Sequence, residues 1–293
     1  MSSPKFKTRI AELKRDNISG AAEILRKAIL LVKDELEENN EDYKDINDLF
    51  ELFKLVSSLK SEMAPLKNIW IYFVDFHHKG VPIKELADRV LSRIDQESEN
   101  LTRELVLYLQ KVKMIMTFSR SSTIREGLRE LLRKGYTNLP ELVIFESRPT
   151  KEGEKLALET SKSGYKVHYL IDAAMTVAIK KFKPDCILIG ADTLFPNGNI
   201  VNKVGSYALA LLARKYNVPV IVVSSTLKLL QQTSKFNTID YPLKEIWKHE
   251  IPDNLDILNP YFEMIPGSLI TGYLTEFGYS TSIPEVKLQI KKD

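Results

Sequence analysis

The chain has 293 residues, 44% of them apolar, and its 42 basic and 39 acidic residues leave a formal net charge of only +3. This even balance does not indicate direct nucleic-acid binding, which usually requires a strongly basic surface. The longest apolar runs, such as IWIYFVDF, are too short to cross a bilayer, and the N-terminus lacks the apolar run of a signal peptide. We therefore expect a cytoplasmic protein that makes no membrane contact.

The first part of the chain has the spacing of amphipathic helices. In residues 17–38, apolar side chains recur every three or four positions, and Asn17 or Ser19 could cap that helix. The acidic run KDELEENNEDYKD (33–45) at the end of that segment is expected to be a solvated helix end and loop, with a partner-binding patch as the alternative. Further helices are predicted over residues 45–63, 65–80 and 82–111, so a helical N-terminal domain is predicted for residues 1–110.

From residue 111 to residue 293 the pattern changes to short apolar runs that alternate with amphipathic segments. The apolar runs are KMIMTF, ELVIFES, KVHYLID, DCILIGAD and VPVIVVSS. Such alternation predicts an α/β domain, with a parallel sheet covered by helices on both faces. The later segment EMIPGSLITGYLTEFG is expected to form a turn and a helix that pack over the sheet edge.

Polar side chains follow the first two predicted strands, at the sheet edge where parallel sheets bind ligands. Residues 117–123 are rich in hydroxyl groups and open a helix, whose free amide groups suit a phosphate. Simple helix capping by Ser121 or Ser122 explains the same residues. After the second strand, Arg148 could clamp a phosphate with two donors, or could form a surface ion pair.

The third and fourth strands are also followed by carboxylates. Asp172 directly precedes a helix and is well explained as a cap, whereas Asp192 precedes a long loop and is not. Asn202 and Lys203 then come just before a helix, where they offer hydrogen bonds to sugar hydroxyls and a point charge to phosphate. We therefore predict a ligand site at this edge of the sheet.

Several classes of site are not indicated. The sequence has neither the glycine-rich motif of dinucleotide-binding folds nor a P-loop. Its four histidines are scattered, and its one cysteine, Cys186, lies in an apolar run, so neither a metal site nor an internal disulfide is predicted. No cofactor is predicted.

Four motifs in order resemble the translation initiation factor 2B alpha/beta/delta family. They are ESRP (146–149), LIDAA (170–174), GAD (190–192) and NGNIVNKVGS (197–206), and PGSLIT (266–271) resembles the family's final signature. The family also contains methylthioribose-1-phosphate isomerase and the archaeal ribose-1,5-bisphosphate isomerase. The resemblance implies a helical N-terminal domain, a Rossmann-like C-terminal domain that forms a homodimer, and a sugar-phosphate pocket between the domains.

The resemblance also assigns roles to individual residues. The family's isomerases use a cysteine as acid/base together with an aspartate, and these positions hold Ser119 and Asp192 here. The family's phosphate motif Arg-Gly-Ala matches residues 19–21, where a serine replaces the arginine. The strand-end pattern and the resemblance together give the candidate ligand-binding residues Gly20, Ala21, Ser119, Arg120, Ser121, Arg148, Asp192, Asn202 and Lys203.

The missing cysteine separates two hypotheses. A serine hydroxyl does not titrate near neutral pH, and loss of an acid/base group typically lowers a rate by about 10²–10⁴-fold. The leading hypothesis is therefore a non-catalytic protein of the regulatory-subunit type, which binds initiation factor 2 and a sugar phosphate or nucleotide. The alternative is an aldose–ketose isomerase of the ribose-1,5-bisphosphate type, in which Asp192 carries the proton and Ser119 or a water assists. A third hypothesis is a structural dimer with a vestigial pocket.

Overall fold

The computed structural model describes residues 2–16, 21–59, 63–230 and 241–284. Its α-helices are α1 (Pro4–Lys14), α2 (Ala21–Glu38), α3 (Phe50–Ser57), α4 (Ala64–His78), α5 (Ile83–Leu109), α6 (Ser122–Arg133), α7 (Glu152–Lys162), α8 (Met175–Phe182) and α9 (Ser206–Lys215). Its strands are β1 (Met114–Thr117), β2 (Glu141–Phe145), β3 (Val167–Leu170), β4 (Cys186–Ile189), β5 (Thr193–Leu194), β6 (Ile200–Lys203), β7 (Val220–Val223), β8 (Phe262–Ile265), β9 (Gly272–Thr275) and β10 (Gly278–Ser280). No described helix is both long enough and apolar enough to cross a membrane.

The helices α1 to α4 and the first half of α5 enclose one apolar core. α2 supplies buried side chains at the predicted three- and four-residue spacing, and Leu86 and Val90 of α5 pack against them. The acidic run 33–45, which begins within the last turns of α2, is less solvated than predicted, because Glu35 is buried. The Glu35 carboxylate accepts hydrogen bonds from the Ser3 backbone N–H at 2.7 Å and from the Tyr43 hydroxyl at 2.9 Å.

The main sheet has the strand order β10-β9-β7-β4-β1-β2-β3, and every neighbouring pair except β9–β10 is parallel. This confirms the predicted parallel sheet. The chain begins the sheet at β1, builds outward to β3, and then crosses to β4 on the other side of β1. The strand order therefore reverses between β1 and β4.

Successive side chains of the strands enter two different cores. On one face, Ile115 packs with α6, α7 and the second half of α5; on the other, Met116 packs with α8 and α9. Helices on both faces are thus confirmed. A second, antiparallel sheet of order β5-β6-β8 also packs on the α8–α9 face, through Leu194, Ile200 and Ile265.

The predicted helix in EMIPGSLITGYLTEFG is wrong. The segment forms β8, a short 3-10 turn at Gly267–Leu269, and β9. Both strands have partners distant in sequence, since β8 pairs with β6 and β9 pairs with β7. Backbone pairing in these two sheets therefore decides the conformation, whereas the apolar spacing alone resembled a helix.

The helical part and the sheet part are joined by direct hydrogen bonds as well as by α5. The Asn68 side-chain amide of α4 donates to the carbonyl oxygens of Leu227 and Leu229, both at 2.7 Å. The Ala64 N–H at the start of α4 donates to the Thr193 hydroxyl of β5 at 3.2 Å. These contacts place the start of α4 beside the carboxyl ends of the main strands.

Candidate functional site

The candidate site lies where the strand order of the main sheet reverses. β1 leads to α6 on one face, whereas β4 leads to β5 on the other, and this divergence opens a crevice at the carboxyl ends of the strands. The loops after β1 and β4 approach closely. A Cβ atom on Gly190 would lie only 3.0 Å from the Ser121 Oγ, so this position favours glycine.

Both parts of the chain line this pocket. Asp16, Ala21, Glu23 and Met63 come from the helical part. The other lining residues that the structure describes are Phe118, Ser119, Arg120, Ser121, Ser122, Arg125, Glu152, Lys155, Gly190, Ala191, Asp192, Asn202, Lys203, Lys228, Tyr241, Tyr261 and Phe262. The structure therefore brings Ala21 and most of the predicted sheet-edge residues together.

Ser119 occupies a turn directly after β1 that few residue types adopt. Its φ angle is +67°, a left-handed conformation that is uncommon outside glycine. Its backbone N–H donates to the Ser147 hydroxyl at 2.7 Å, and its own hydroxyl donates to the Glu152 carboxylate at 2.8 Å. The Ser119 side chain therefore faces the pocket with its proton already engaged.

Lys203 lies at the end of β6 and is almost completely buried. Its ammonium is 2.9 Å from the Glu152 Oε1, and it sits 4.4 Å from the ring centre of Tyr261 and 5.0 Å from that of Phe262. A buried charge needs such partners, because desolvation without compensation is costly. Beside it, the Asn202 amide donates to the Ser206 hydroxyl at 3.0 Å.

Asp192 follows β4 and has a lysine beside it that the sequence did not indicate. Its backbone N–H donates to the Val201 carbonyl at 2.8 Å, which ties the loop to β6. The Lys228 ammonium donates to the Ala191 carbonyl at 2.6 Å. Burial lowers the pKa of Lys228, and the negative charge of Asp192 opposes that effect. The pocket thus holds a carboxylate and a partly buried lysine that interact electrostatically.

Two of the predicted ligand-binding side chains in the loop after β1 are committed to structural contacts. The Ser121 hydroxyl caps α6 by accepting from the Ile124 N–H at 3.4 Å, which agrees with the capping alternative. The Arg120 guanidinium makes two hydrogen bonds to Glu159, at 2.6 and 3.2 Å, and this pairing lowers the pKa of that carboxyl group. Gly20 lies outside the described residues, as do both candidate caps, Asn17 and Ser19.

Arg148, predicted to clamp a phosphate, is not among the residues that line the pocket. The Asp172 carboxylate accepts the backbone N–H groups of Ser147 and Arg148, both at 2.8 Å, and holds this loop toward the end of β3. The Arg148 side chain is exposed. Asp172 is therefore a structural anchor for the loop after β2.

Sequence reasoning missed several residues that line the pocket. Glu152 and Arg125 lie on predicted helices, and their facing direction was not visible from the spacing. Lys228 could have been found by the rule used for the other strands, because it follows β7 at the same edge of the sheet. Within the described residues, no three or more His, Cys, Asp or Glu side chains are grouped so as to hold a metal ion.

Comparison with known sequences identifies one family and two kinds of relative. The sequence model of the initiation factor 2 subunit family matches residues 16–282. A methylthioribose-1-phosphate isomerase of Pseudothermotoga lettingae is 36% identical over 233 residues, which cover 73% of this chain and 66% of the isomerase. A putative translation initiation factor eIF-2B subunit 2-like protein of Pyrococcus horikoshii is 28% identical over 92% of this chain and 94% of its own length. The chain spans 62–66% of the length of the first three isomerases.

Solved structures show the same fold. The translation initiation factor eIF-2B of Pyrococcus horikoshii superposes with a TM-score of 0.80 at 24% identity, covering 95% of this chain and 98% of that one. The 5-methylthioribose 1-phosphate isomerase of the same organism gives a TM-score of 0.69 at 19% identity, covering 94% and 83%. A tetrameric eIF2B-beta2-delta2 complex from C. thermophilum gives 0.73 at 15% identity, covering 94% and 92%.

Proposed function

Because the chain belongs to the initiation factor 2 subunit family, we propose that its pocket isomerises a sugar phosphate from an aldose to a ketose. The observation that carries the proposal is the convergence of Asp192, Lys228 and Ser119 on one pocket between the two parts of the chain. The relatives named as isomerases support this alternative better than the leading hypothesis of a non-catalytic factor.

The proposed chemistry needs a group that moves one proton between two carbons. In a sugar 1-phosphate the bond between C1 and the ring oxygen must first break, with a proton delivered to that oxygen. A proton is then removed from C2 and one is returned to C1, while the C2 hydroxyl gives up its proton to become the ketone, with no net gain or loss of atoms. Asp192 is the proposed proton carrier. The positive charge of Lys228 interacts with the Asp192 carboxylate, and it can stabilise negative charge on the substrate oxygen.

Ser119 has a supporting role in this proposal. Its hydroxyl donates to Glu152, and its own lone pairs can accept a hydrogen bond from a substrate hydroxyl. A hydroxyl does not ionise near neutral pH, so Ser119 positions the substrate and does not carry the proton.

The test is phosphorus NMR of the purified protein with ribose 1,5-bisphosphate and with 5-methylthioribose 1-phosphate. We expect a ketose phosphate signal from one of them, and a rate lowered by about 10²–10⁴-fold in D192N. The matched control is D253N, which removes the same charge from an exposed aspartate that does not line the pocket. Absence of turnover with both sugars, or full turnover in D192N, would overturn the proposal.

A second candidate function is the non-catalytic role of an initiation-factor subunit. It is supported by the hydroxyl at Ser119 and by the eIF-2B-like relative, which matches along nearly its whole length. In this case the pocket binds a sugar phosphate or nucleotide without turnover, and the chain binds initiation factor 2. The predicted result is co-purification with initiation factor 2 at low salt by a protein that is inactive in the NMR assay; failure to recover the factor counts against it.

We also propose self-association through the sheet half. Structural neighbours include the tetrameric complex described above. Large apolar side chains stand exposed on α8 and α9, among them Val177 at 61% and Leu211 at 47%. Burial of such side chains favours a symmetric contact between two copies. Sedimentation equilibrium should give the mass of a dimer or of a multiple of it, and a monomer mass would contradict this.

A further inference from the structure

Glu152, the first residue of α7, places its carboxylate inside the pocket and bridges two other elements. Oε1 lies 2.9 Å from the Lys203 ammonium of β6, and Oε2 accepts the Ser119 hydroxyl after β1 at 2.8 Å. The Glu152 side chain is 15% exposed and that of Lys203 only 5%. Both carboxylate oxygens therefore have a partner, in surroundings largely shielded from water.

These contacts are the ones that an oxyanion of a ligand would make at the same place. An ammonium and a hydroxyl are both donors to phosphate or carboxylate oxygens. The rings of Tyr261 and Phe262 lie against the same ammonium and limit the room for a second anion. A phosphate near Lys203 would have to displace the Glu152 carboxylate or lie beside it, and like charges repel strongly where water is excluded.

Two other cations line the same pocket and are not paired in this way. Arg125 and Lys155 make no ion pair within the part of the chain that the structure describes, and the Arg125 Nε is buried there without a hydrogen-bond partner. Buried donors normally have partners, so an anion at Arg125 would satisfy one. Arg125 also lies near the N-terminus of α6, where the helix dipole favours negative charge.

We propose that Glu152 determines the orientation and class of the ligand. Its carboxylate excludes phosphate from Lys203 and directs the phosphate toward Arg125 and Lys155. The hydroxyl groups of the ligand then meet Glu152 and Asn202, because a carboxylate accepts hydrogen bonds that hydroxyl groups can donate. The site thus selects a phosphate ester that carries free hydroxyl groups on its sugar ring. This deepens the proposed function, on which the choice of a sugar phosphate rests.

The test is isothermal titration calorimetry with inorganic phosphate, which can enter the pocket in any orientation. Wild type should bind phosphate weakly, and E152Q should bind it about 10–100-fold more tightly because it frees Lys203 for a charged contact. The matched control E154Q removes an exposed carboxylate from the same helix and should bind as wild type does. The double variant E152Q/K203M should lose the gain.

Equal phosphate affinity in wild type and E152Q would overturn the role of Glu152. So would an equal gain in E154Q, or a gain that survives in E152Q/K203M, because either would reflect overall charge alone. If E152Q does not fold, E152S removes the same charge and leaves more room for the anion, and the same gain in phosphate affinity is expected.

The orientation of the ligand in the pocket is tested separately by measuring the binding of ribose 5-phosphate. R125Q should weaken binding of this ester by about tenfold or more, the usual contribution of a charged hydrogen bond. Unchanged binding in R125Q, or no binding to wild type, would overturn the assigned orientation. Because phosphate binding needs no turnover, an inactive wild type with a gain in E152Q would refute the isomerase and keep the role of Glu152. An active wild type with equal phosphate affinity in wild type and E152Q would support the isomerase and overturn the role of Glu152.

Discussion

Replacement of Lys203 by methionine should destabilise the protein, because it leaves the Glu152 carboxylate without its cation inside the pocket. Removing one partner of a buried ion pair costs about 3–5 kcal/mol. The Glu152 side chain remains 15% exposed, so partial hydration should keep the loss near the lower end, about 3 kcal/mol. Loss of the contact between the ammonium and the Tyr261 ring adds about 0.5–2 kcal/mol.

The measurement is urea unfolding of wild type, K203M, E152Q and K203M/E152Q, which together form a double-mutant cycle. The double variant should be more stable than K203M by about 1–3 kcal/mol, because glutamine removes the uncompensated charge. K155M is the control, since this lysine lines the same pocket but is exposed, and it should change stability by no more than about 0.5 kcal/mol. Strictly additive effects of K203M and E152Q would refute the reasoning, because they would show that the pair is not energetically coupled.

Two further predictions concern the core around the pocket and the junction of its two parts. G205A should lose about 2–4 kcal/mol in urea unfolding, because Gly205 has a φ of +102° and a Cβ there would lie 2.5 Å from the buried Phe118 ring. The control G135A, at a φ of +75° with open space around it, measures the backbone cost alone, and an equal loss in both would contradict the predicted clash. Burial raises the pKa of Glu97, and the hydrogen bond from Arg93 only partly opposes this shift. The Glu97 carboxyl group therefore binds its proton more tightly in the folded state, so the free energy of unfolding falls as pH rises through the raised pKa. In thermal unfolding from pH 4 to 8, which begins below the ordinary pKa of a glutamate of 4.5, E97Q should therefore gain stability relative to wild type as pH increases. Parallel curves would show that Glu97 does not contribute.

Much of the sheet could be predicted from local sequence because its strands are buried on both faces. β1, β2, β4 and β7 are short apolar runs, and parallel strands covered by helices need such runs. β8 and β9 were predicted as a turn and a helix, since their conformation depends on pairing with β6 and β7 far along the chain. Spacing within one segment carries no information about such partners.

The position of the site could likewise be predicted in part. The rule that ligands bind at the carboxyl ends of parallel strands predicts from sequence alone that Ser119 and Asp192 lie at one edge of the sheet. The same rule does not account for Arg148, which does not line the pocket, because hydrogen bonds to Asp172 hold its loop toward β3. The direction in which a loop turns depends on such contacts, which a motif does not record.

The fold class, the family resemblance and the edge of the sheet where we propose a ligand site can therefore be predicted from local sequence. These follow from hydrophobic periodicity and from residues close together in the chain. The contacts of Glu152 with Lys203 and Ser119, and the position of Lys228 beside Asp192, could be found only from the folded chain. Those pairings join residues from different elements, and their electrostatics depend on distance and burial, which arise only when the two parts of the chain pack together.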